Sequence, residues 1–262
     1  MHLVSRAAWS LVGSLAYLGA AVVNAAGVLE IDVVFPRTNE TYAPTDKFPI
    51  VFALQNAELA KHLNPVIDSF VRNGSNSDST FGHSVRDLTN ANYSSEPFFI
   101  YHYVNVNTEG PYELFSSAAW RSCDKSGDQV AIADSSTNFA IPFTIKSGGQ
   151  EVDLVAATAT CSPQDGVAIS VTDETHEVPS SLQGQPSGTC AVLASSSPTL
   201  NPCQVKIDSA AAASMSAVLH DALCKGVNPP ADCPKEDVAQ QLVVAGVVTF
   251  AAAFGAIGFL LA

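Results

Sequence analysis

The chain has 262 residues, 12 of them Lys or Arg and 25 Asp or Glu, for a net charge of −13 at pH 7. That balance repels phosphate backbones and anionic head groups, which excludes nucleic acid as a favoured partner and gives no electrostatic route to an anionic membrane surface. Setting aside an apolar stretch at each end leaves roughly 200 residues, enough for one substantial domain with its own core.

At the start, Arg6 precedes an uncharged run from Ala7 to Asn24, and Val23-Asn24-Ala25 fits a small-x-small cleavage site. The pattern predicts a secretory signal peptide over residues 1–25, with an N-terminal anchor as the alternative. The mature chain is then expected to begin near Ala26 or Gly27. "GVLEIDVVFP" alternates Leu29, Ile31 and Val33 with Val28, Glu30 and Asp32 and closes on Pro36, the pattern of an edge strand. "KFPIVFALQN" is a compact apolar run of the kind a strand buried on both faces shows. "NAELAKHL" predicts two helical turns ended by Asn64-Pro65.

Extended stretches follow at 66–72, 98–106, 112–121 and 139–146, and again at 154–160, 167–172, 190–194 and 204–207, separated by Gly, Asn, Ser and Asp clusters. Many short strands at such spacing predict a mainly β fold, an immunoglobulin-like β-sandwich. Tyr112, directly after Gly110-Pro111, stands where such sandwiches place a corner tyrosine, although no cysteine follows two residues on; a tyrosine simply packing in a strand fits equally. "DSAAAASMSAVLHDALCKG" predicts a C-terminal amphipathic helix on the sandwich, capped by Asp208 or Ser209 and closed at Lys225-Gly226. Its apolar face is Met215, Val218, Leu219, Ala222 and Leu223. The predicted organisation is thus a leader (1–25), a β-sandwich ectodomain (26–225), a polar spacer (226–241) and a hydrophobic tail (242–262).

Leu242 to Ala262 carries no charge and is long enough for a helix to cross about 30 Å of hydrocarbon. Behind the spacer "CPKEDVAQQ" it has the shape of a glycosylphosphatidylinositol signal, with Ala231 as the candidate attachment residue and an uncleaved membrane span as the alternative. The expected location is the outer face of the plasma membrane or the cell wall. Cleavage at Ala231 would remove Cys233.

All six cysteines (Cys123, Cys161, Cys190, Cys203, Cys224, Cys233) follow the leader, and an even number in an oxidising compartment predicts disulfides. The preferred pairing is Cys161–Cys190 and Cys224–Cys233, leaving Cys123–Cys203. Sequons place candidate glycans at Asn39, Asn73 and Asn92.

Little in the chain suggests catalysis. "GHSVR" (82–86) lacks the final glycine of a nucleophile elbow, and its flanks read as loop. No histidine has a second histidine three or four residues on and there is no HExxH, and "TDETHE" (172–177) reads as an exposed acidic turn rather than a calcium loop. No catalytic residue, metal site or cofactor is predicted. In "FFIYHYV", Phe99, Tyr101 and Tyr103 share one strand face and form a candidate glycan-binding platform, with one more core strand as the plainer alternative.

The phrases "GVLEIDVVFPRTNETYAPTDKFPIVFALQNAELAKHLNP", "FTIKSGGQEVDLVAAT" and "NPCQVKIDSAAAASMSA" resemble a fungal family of secreted and cell-surface proteins that share a domain of unknown function, number 7136. The resemblance spans Gly27 to about Cys233. It implies a secreted, disulfide-bonded β-rich domain, often with a C-terminal apolar tail, and it transfers no catalytic residue. The expectation is a non-catalytic fungal cell-surface protein with a structural or interaction role at the envelope. The alternatives are a cell-wall glycan binder resembling a carbohydrate-binding module, and a hydrolase of unrecognised type. The expected partners are the membrane, through the tail, and cell-wall glycans.

Overall fold

Alternating side chains along extended segments leave the backbone to bond sideways, and this chain does so throughout. The computed structural model describes residues 25–126, 129–159, 165–178, 188–226 and 231–234. Among these residues it is mainly β, with strands β1 (Ala25–Phe35), β2 (Thr41–Tyr42), β3 (Thr45–Gln55), β4 (Val66–Asn73) and β5 (Asn76–Asp87). β6 (Phe98–Val106), β7 (Gly110–Ser126), β8 (Gln129–Ile145), β9 (Gly166–Glu177) and β10 (Thr189–Leu193) complete the set. Their order is β2-β8-β7-β10-β9-β1-β3-β6, with β4 also on β7 and β5 on β4. This open sheet has two antiparallel halves, β6-β3-β1-β9-β10 and β8-β7-β4-β5, joined where Val192 of β10 runs parallel to Cys123 of β7. The arrangement is consistent with a β-sandwich.

The core forms where the apolar faces of the two halves meet. The β3 run Phe48 to Leu54 is buried apart from no more than a trace at each apolar position, as its unbroken hydrophobicity predicts. Phe48 stacks on Phe143 of β8 with ring centroids 5.0 Å apart, and the rings of Phe35 and Tyr42 each lie 5.2 Å from Phe48. At the start of β7 the Tyr112 hydroxyl donates to the Thr108 carbonyl at 2.8 Å, the bond a corner tyrosine makes. β5 and β6 approach at Gly82, whose φ is +63°; a Cβ there would lie 2.2 Å from Val104 Cγ1.

Several expectations are corrected. β1 is not an edge strand: it lies between β3 and β9, and Glu30 and Asp32 are buried along with Leu29 and Ile31. Its polar face meets the strap 194–207, whose Asn201 N–H donates to Glu30, and helix α1 (Leu154–Ala159) is tied to the end of that strap. The stretch 154–160 was expected extended. Its alanines favour a helix, and Asp153 Oδ1 accepts from the Ala156 N–H at 2.9 Å to start one. The stretch 204–207 is likewise not a strand; a short 3-10 turn over Pro202–Gln204 leads into the strap's end. Thr158 ties α1 to the strap, its Oγ1 donating to the Leu154 carbonyl and accepting from Ile207 N–H at 2.9 Å. Lys206 Nζ donates to the Thr158 and Ala159 carbonyls at the end of α1.

β5, expected as loop, is a strand paired with β4, and "TDETHE" belongs to β9 rather than to a turn. Both are rich in polar side chains, Ser and Asp in β5 and Thr, Asp and Glu in β9. Ladder bonds come from the backbone, so polar side chains are tolerated wherever one face meets water.

Disulfides join Cys123 to Cys190 and Cys224 to Cys233, each with Cα atoms 5.5 Å apart. The second agrees with the expected pairing. The first overturns Cys161–Cys190 and Cys123–Cys203, because β10 lies against the far end of β7 and brings Cys190 beside Cys123. Cys203 is itself disulfide-bonded, and Cys161 lies outside the described residues.

Helix α2 (Ser209–Cys224) starts on Asp208, whose Oδ1 accepts from Ala211 N–H at 2.7 Å. Of its expected apolar face Met215 is buried and Leu219 and Leu223 are half-buried, but Val218 is 52 % exposed and Ala222 is exposed too. The apolar stripe is narrower than the sequence pattern suggests. Residues 1–24, which hold nearly all of the expected leader, and Leu242–Ala262 lie outside the described residues. Among those described, no helix is long and apolar enough to cross a membrane.

Candidate functional site

β6 closes one end of the sheet, pairing with β3 alone among the described residues. Alternation turns Ile100 and Val104 into the core and sets Phe99, Tyr101 and Tyr103 on the opposite face, across from Ala53, Val51 and Pro49 of β3. All three rings are half-buried, so neither full burial nor full exposure decides between core strand and platform. Tyr101 and Tyr103 meet edge to face at 6.4 Å. Burial raises both hydroxyls above their ordinary value, which keeps them protonated and able to donate as well as accept.

A second aromatic pair escaped the sequence reading. Phe70 of β4 lies directly opposite Phe115 of β7, and the rings stack 5.4 Å apart at 14°. The Arg72 guanidinium sits 4.4 Å over the Phe115 ring and pairs with Glu113 at 2.8 Å. Phe70 and Phe115 are 45 residues apart, so only the β4–β7 register brings them together.

A cleft of about 210 Å³ opens beside β2, lined by Phe35, Arg37, Glu40, Tyr42 and Gln150 among others. Several of its polar groups are already engaged. Arg37 donates through Nη2 to the Ala157 carbonyl and through its backbone N–H to Tyr42 Oη at 2.9 Å. Gln150 Nε2 donates to Glu40 at 3.3 Å. Burial pushes the Tyr42 hydroxyl up to about 12 and lowers Arg37 from its ordinary value, so neither is poised to move a proton near neutrality.

The histidines are dispersed. His62 Nδ1 meets Thr189 Oγ1 at 2.7 Å, and burial with the nearby Lys61 charge lowers its pKa. His83 pairs with Asp68 at 2.8 Å on the open face, and His176 with Glu174 at 2.9 Å. His102, half-buried in β6, is pushed down to about 4 by burial and by Arg86, so it stays neutral. His220 lies 3.6 Å from Cys224 Sγ, close to Cys233 as well, but sulfurs bonded to one another offer no thiolate to a metal. Ser84 of "GHSVR" lies within β5, not on a strand-to-helix elbow.

Asn39 and Asn92 are exposed, Asn39 with a φ of +64°. Asn73 is half-buried, and its Oδ1 accepts from Ser75 N–H at 2.8 Å. Ala231 is exposed. The most perturbed group is Asp32, beside Glu30 under the strap. Burial, opposed by a Gln55 hydrogen bond and reinforced by Glu30, pushes its carboxyl up to about 8. It is fully enclosed, so no substrate reaches it.

A family model described as "Domain of unknown function (DUF7136)" matches residues 24–233. No curated protein and no solved structure matches the chain.

Proposed function

The chain belongs to the DUF7136 family, and on that premise we propose that it is a non-catalytic protein of the fungal cell surface with a structural or interaction role at the cell envelope. The observation that carries this reading is the placement of its perturbed and aromatic groups. Asp32 and Tyr42 are spent inside the fold, whereas the partly open faces carry clustered rings. The fold reading that goes with it is an immunoglobulin-like sandwich, supported by the Tyr112–Thr108 corner bond.

Cell-wall glycan binding is the second reading, favoured by the half-exposed Phe99, Tyr101 and Tyr103 at the sheet's end. On a fungal glycan array, the ectodomain ending after Cys233 is expected to retain a glucan, chitin or mannan ligand, and Tyr101→Ala with Tyr103→Ala to weaken it about tenfold or more, roughly 1.4 kcal/mol. An empty array, or binding indifferent to both substitutions, would remove the glycan reading and leave a protein partner.

Secretion through the leader and membrane attachment through Leu242–Ala262 belong to the same proposal. The Cys224–Cys233 bond favours the uncleaved span over a lipid anchor at Ala231, since attachment there discards the residue bonded to Cys224. Phosphatidylinositol-specific phospholipase C is therefore expected to leave the protein on intact cells. Its release into the medium would instead establish the lipid anchor.

A further inference from the structure

Glu30 and Asp32 stand two residues apart on β1, so strand alternation sets both carboxyls on the same face, the one the strap covers. They are 5 % and 0 % exposed. The flanking strands bring them no charge. Across from Glu30 are Gln55 of β3 and Ala168 of β9, and across from Asp32 are Ala53 and Gly166. A Cβ on Gly166 would fall 2.7 Å from Asp32 Oδ1, so the absence of a side chain there is what leaves the carboxyl its room.

The hydrogen bonds converge on the strap. Asn201 N–H donates to the Glu30 carboxylate, at 2.7 Å to Oε1 and 2.9 Å to Oε2. Gln55 Nε2 donates to Asp32 Oδ2 at 2.9 Å and to the Asn201 carbonyl at 3.2 Å. Asp32 Oδ1 meets no donor among the described residues, and the polar side chain left to it is Glu30. Two carboxylates present only acceptors to each other, and in a buried site their repulsion goes unscreened. Such a pair is stable when one member carries a proton and donates it to the other.

We propose that Glu30 and Asp32 form a buried proton site. A single proton, carried by Asp32 and donated to Glu30, seats the 194–207 strap on the sheet, and its loss in alkaline medium unlatches the strap. With the proton in place, Glu30 is anchored from one side by Asp32 and from the other holds the Asn201 amide. Without it, Glu30 faces a second buried negative charge and turns away, so Asn201 loses its acceptor.

The surrounding charges do not compensate. On the strap, Lys206 is committed to the carbonyls ending α1, and ahead of β9, Asp165 accepts from Thr38 Oγ1. Gln55 on β3 is neutral, and no cation bonds either acid among the described residues. Burial is the main reason the Asp32 carboxyl rises from its ordinary 3.8 to about 8, with Glu30 adding to it and Gln55 opposing. An acid with a raised folded-state pKa binds more protons folded than unfolded. Its contribution to stability is whole below about 3.8 and declines as pH rises, until the folded protein has itself lost the proton above about 8.

Asp32→Asn separates this from general charge repulsion, because an amide can donate to Glu30 and still accept from Gln55. Urea unfolding of the purified protein from pH 5 to 9 is read together with amide exchange at Asn201, corrected for intrinsic rate. The wild-type folding constant is expected to fall about tenfold more per pH unit, between pH 5 and 8, than that of Asp32→Asn. Asn201 protection is expected to collapse above pH 8 in the wild type alone. Parallel pH profiles, or Asn201 protection unchanged to pH 9, would overturn the proposal. If Asp32→Asn does not fold, the Asp32 carboxyl carbon in the wild-type NMR spectrum decides. A neutral acid at pH 6 upholds the proton site, and a carboxylate there rejects it.

Discussion

Replacing Cys123 and Cys190 together by serine is expected to cost about 4 kcal/mol of stability. The bond joins residues 67 apart, and closing a loop of that size removes about that much conformational freedom from the unfolded chain. Both cysteines are buried, at 5 % and 2 % exposure, so two hydroxyls replace a sulfur bridge in an apolar setting and add to the loss. The position matters as much as the energy. Among the described residues the β10–β7 ladder has one registered pair, Val192 beside Cys123, and it joins the two halves of the sheet. Loss of the bridge is therefore expected to loosen β10 before the rest unfolds. Urea unfolding without reductant, with exchange followed at the β10 amides, checks both points. A loss under about 1 kcal/mol would mean that the backbone pairing holds the halves without help.

Phe48→Ala is expected to be comparably damaging, about 3–5 kcal/mol. Phe48 is completely buried and touches rings from both halves of the sheet, Phe35 on β1 and Tyr42 and Phe143 on β2 and β8. Truncation leaves a void ringed by three aromatic side chains that cannot all close on it, so the cavity adds to the lost transfer energy. Phe48→Leu keeps most of the volume and is expected to cost less, about 1–2 kcal/mol. Thermal or urea unfolding of the two variants reads the difference. Equal losses would show that ring stacking, not filled volume, is what Phe48 contributes.

Much of the candidate surface was legible and part of it was not. Phe99, Tyr101 and Tyr103 could be placed on one face because alternation within a single strand needs no partner. Phe70 and Phe115 could not, since their meeting depends on which residue of β7 stands across from β4. Asp32 was misread for a related reason. Alternation correctly put Glu30 and Asp32 on the same face, but whether that face meets water or a strap from position 201 is a long-range matter. The disulfides divide in the same way. Cys224 and Cys233 are nine residues apart and pair locally, whereas Cys190 finds Cys123 because β10 docks on β7.

The sequence by itself determined the mainly β character, the doubly buried β3, the bounds of β6, the capped helix α2 and the local disulfide. Each follows from hydrophobic period, capping chemistry or short loop closure, forces that act within about a dozen residues. Only the tertiary structure decided that β1 is central, that 154–159 is helical under a strap, that polar β5 is a strand, and that two acids share an enclosed site. Those outcomes turn on which faces are covered and which strands are neighbours. Burial changes the meaning of a residue without changing its pattern: the same Glu30 and Asp32 that would solvate an edge strand become, once covered, a pair with no water to separate their charges.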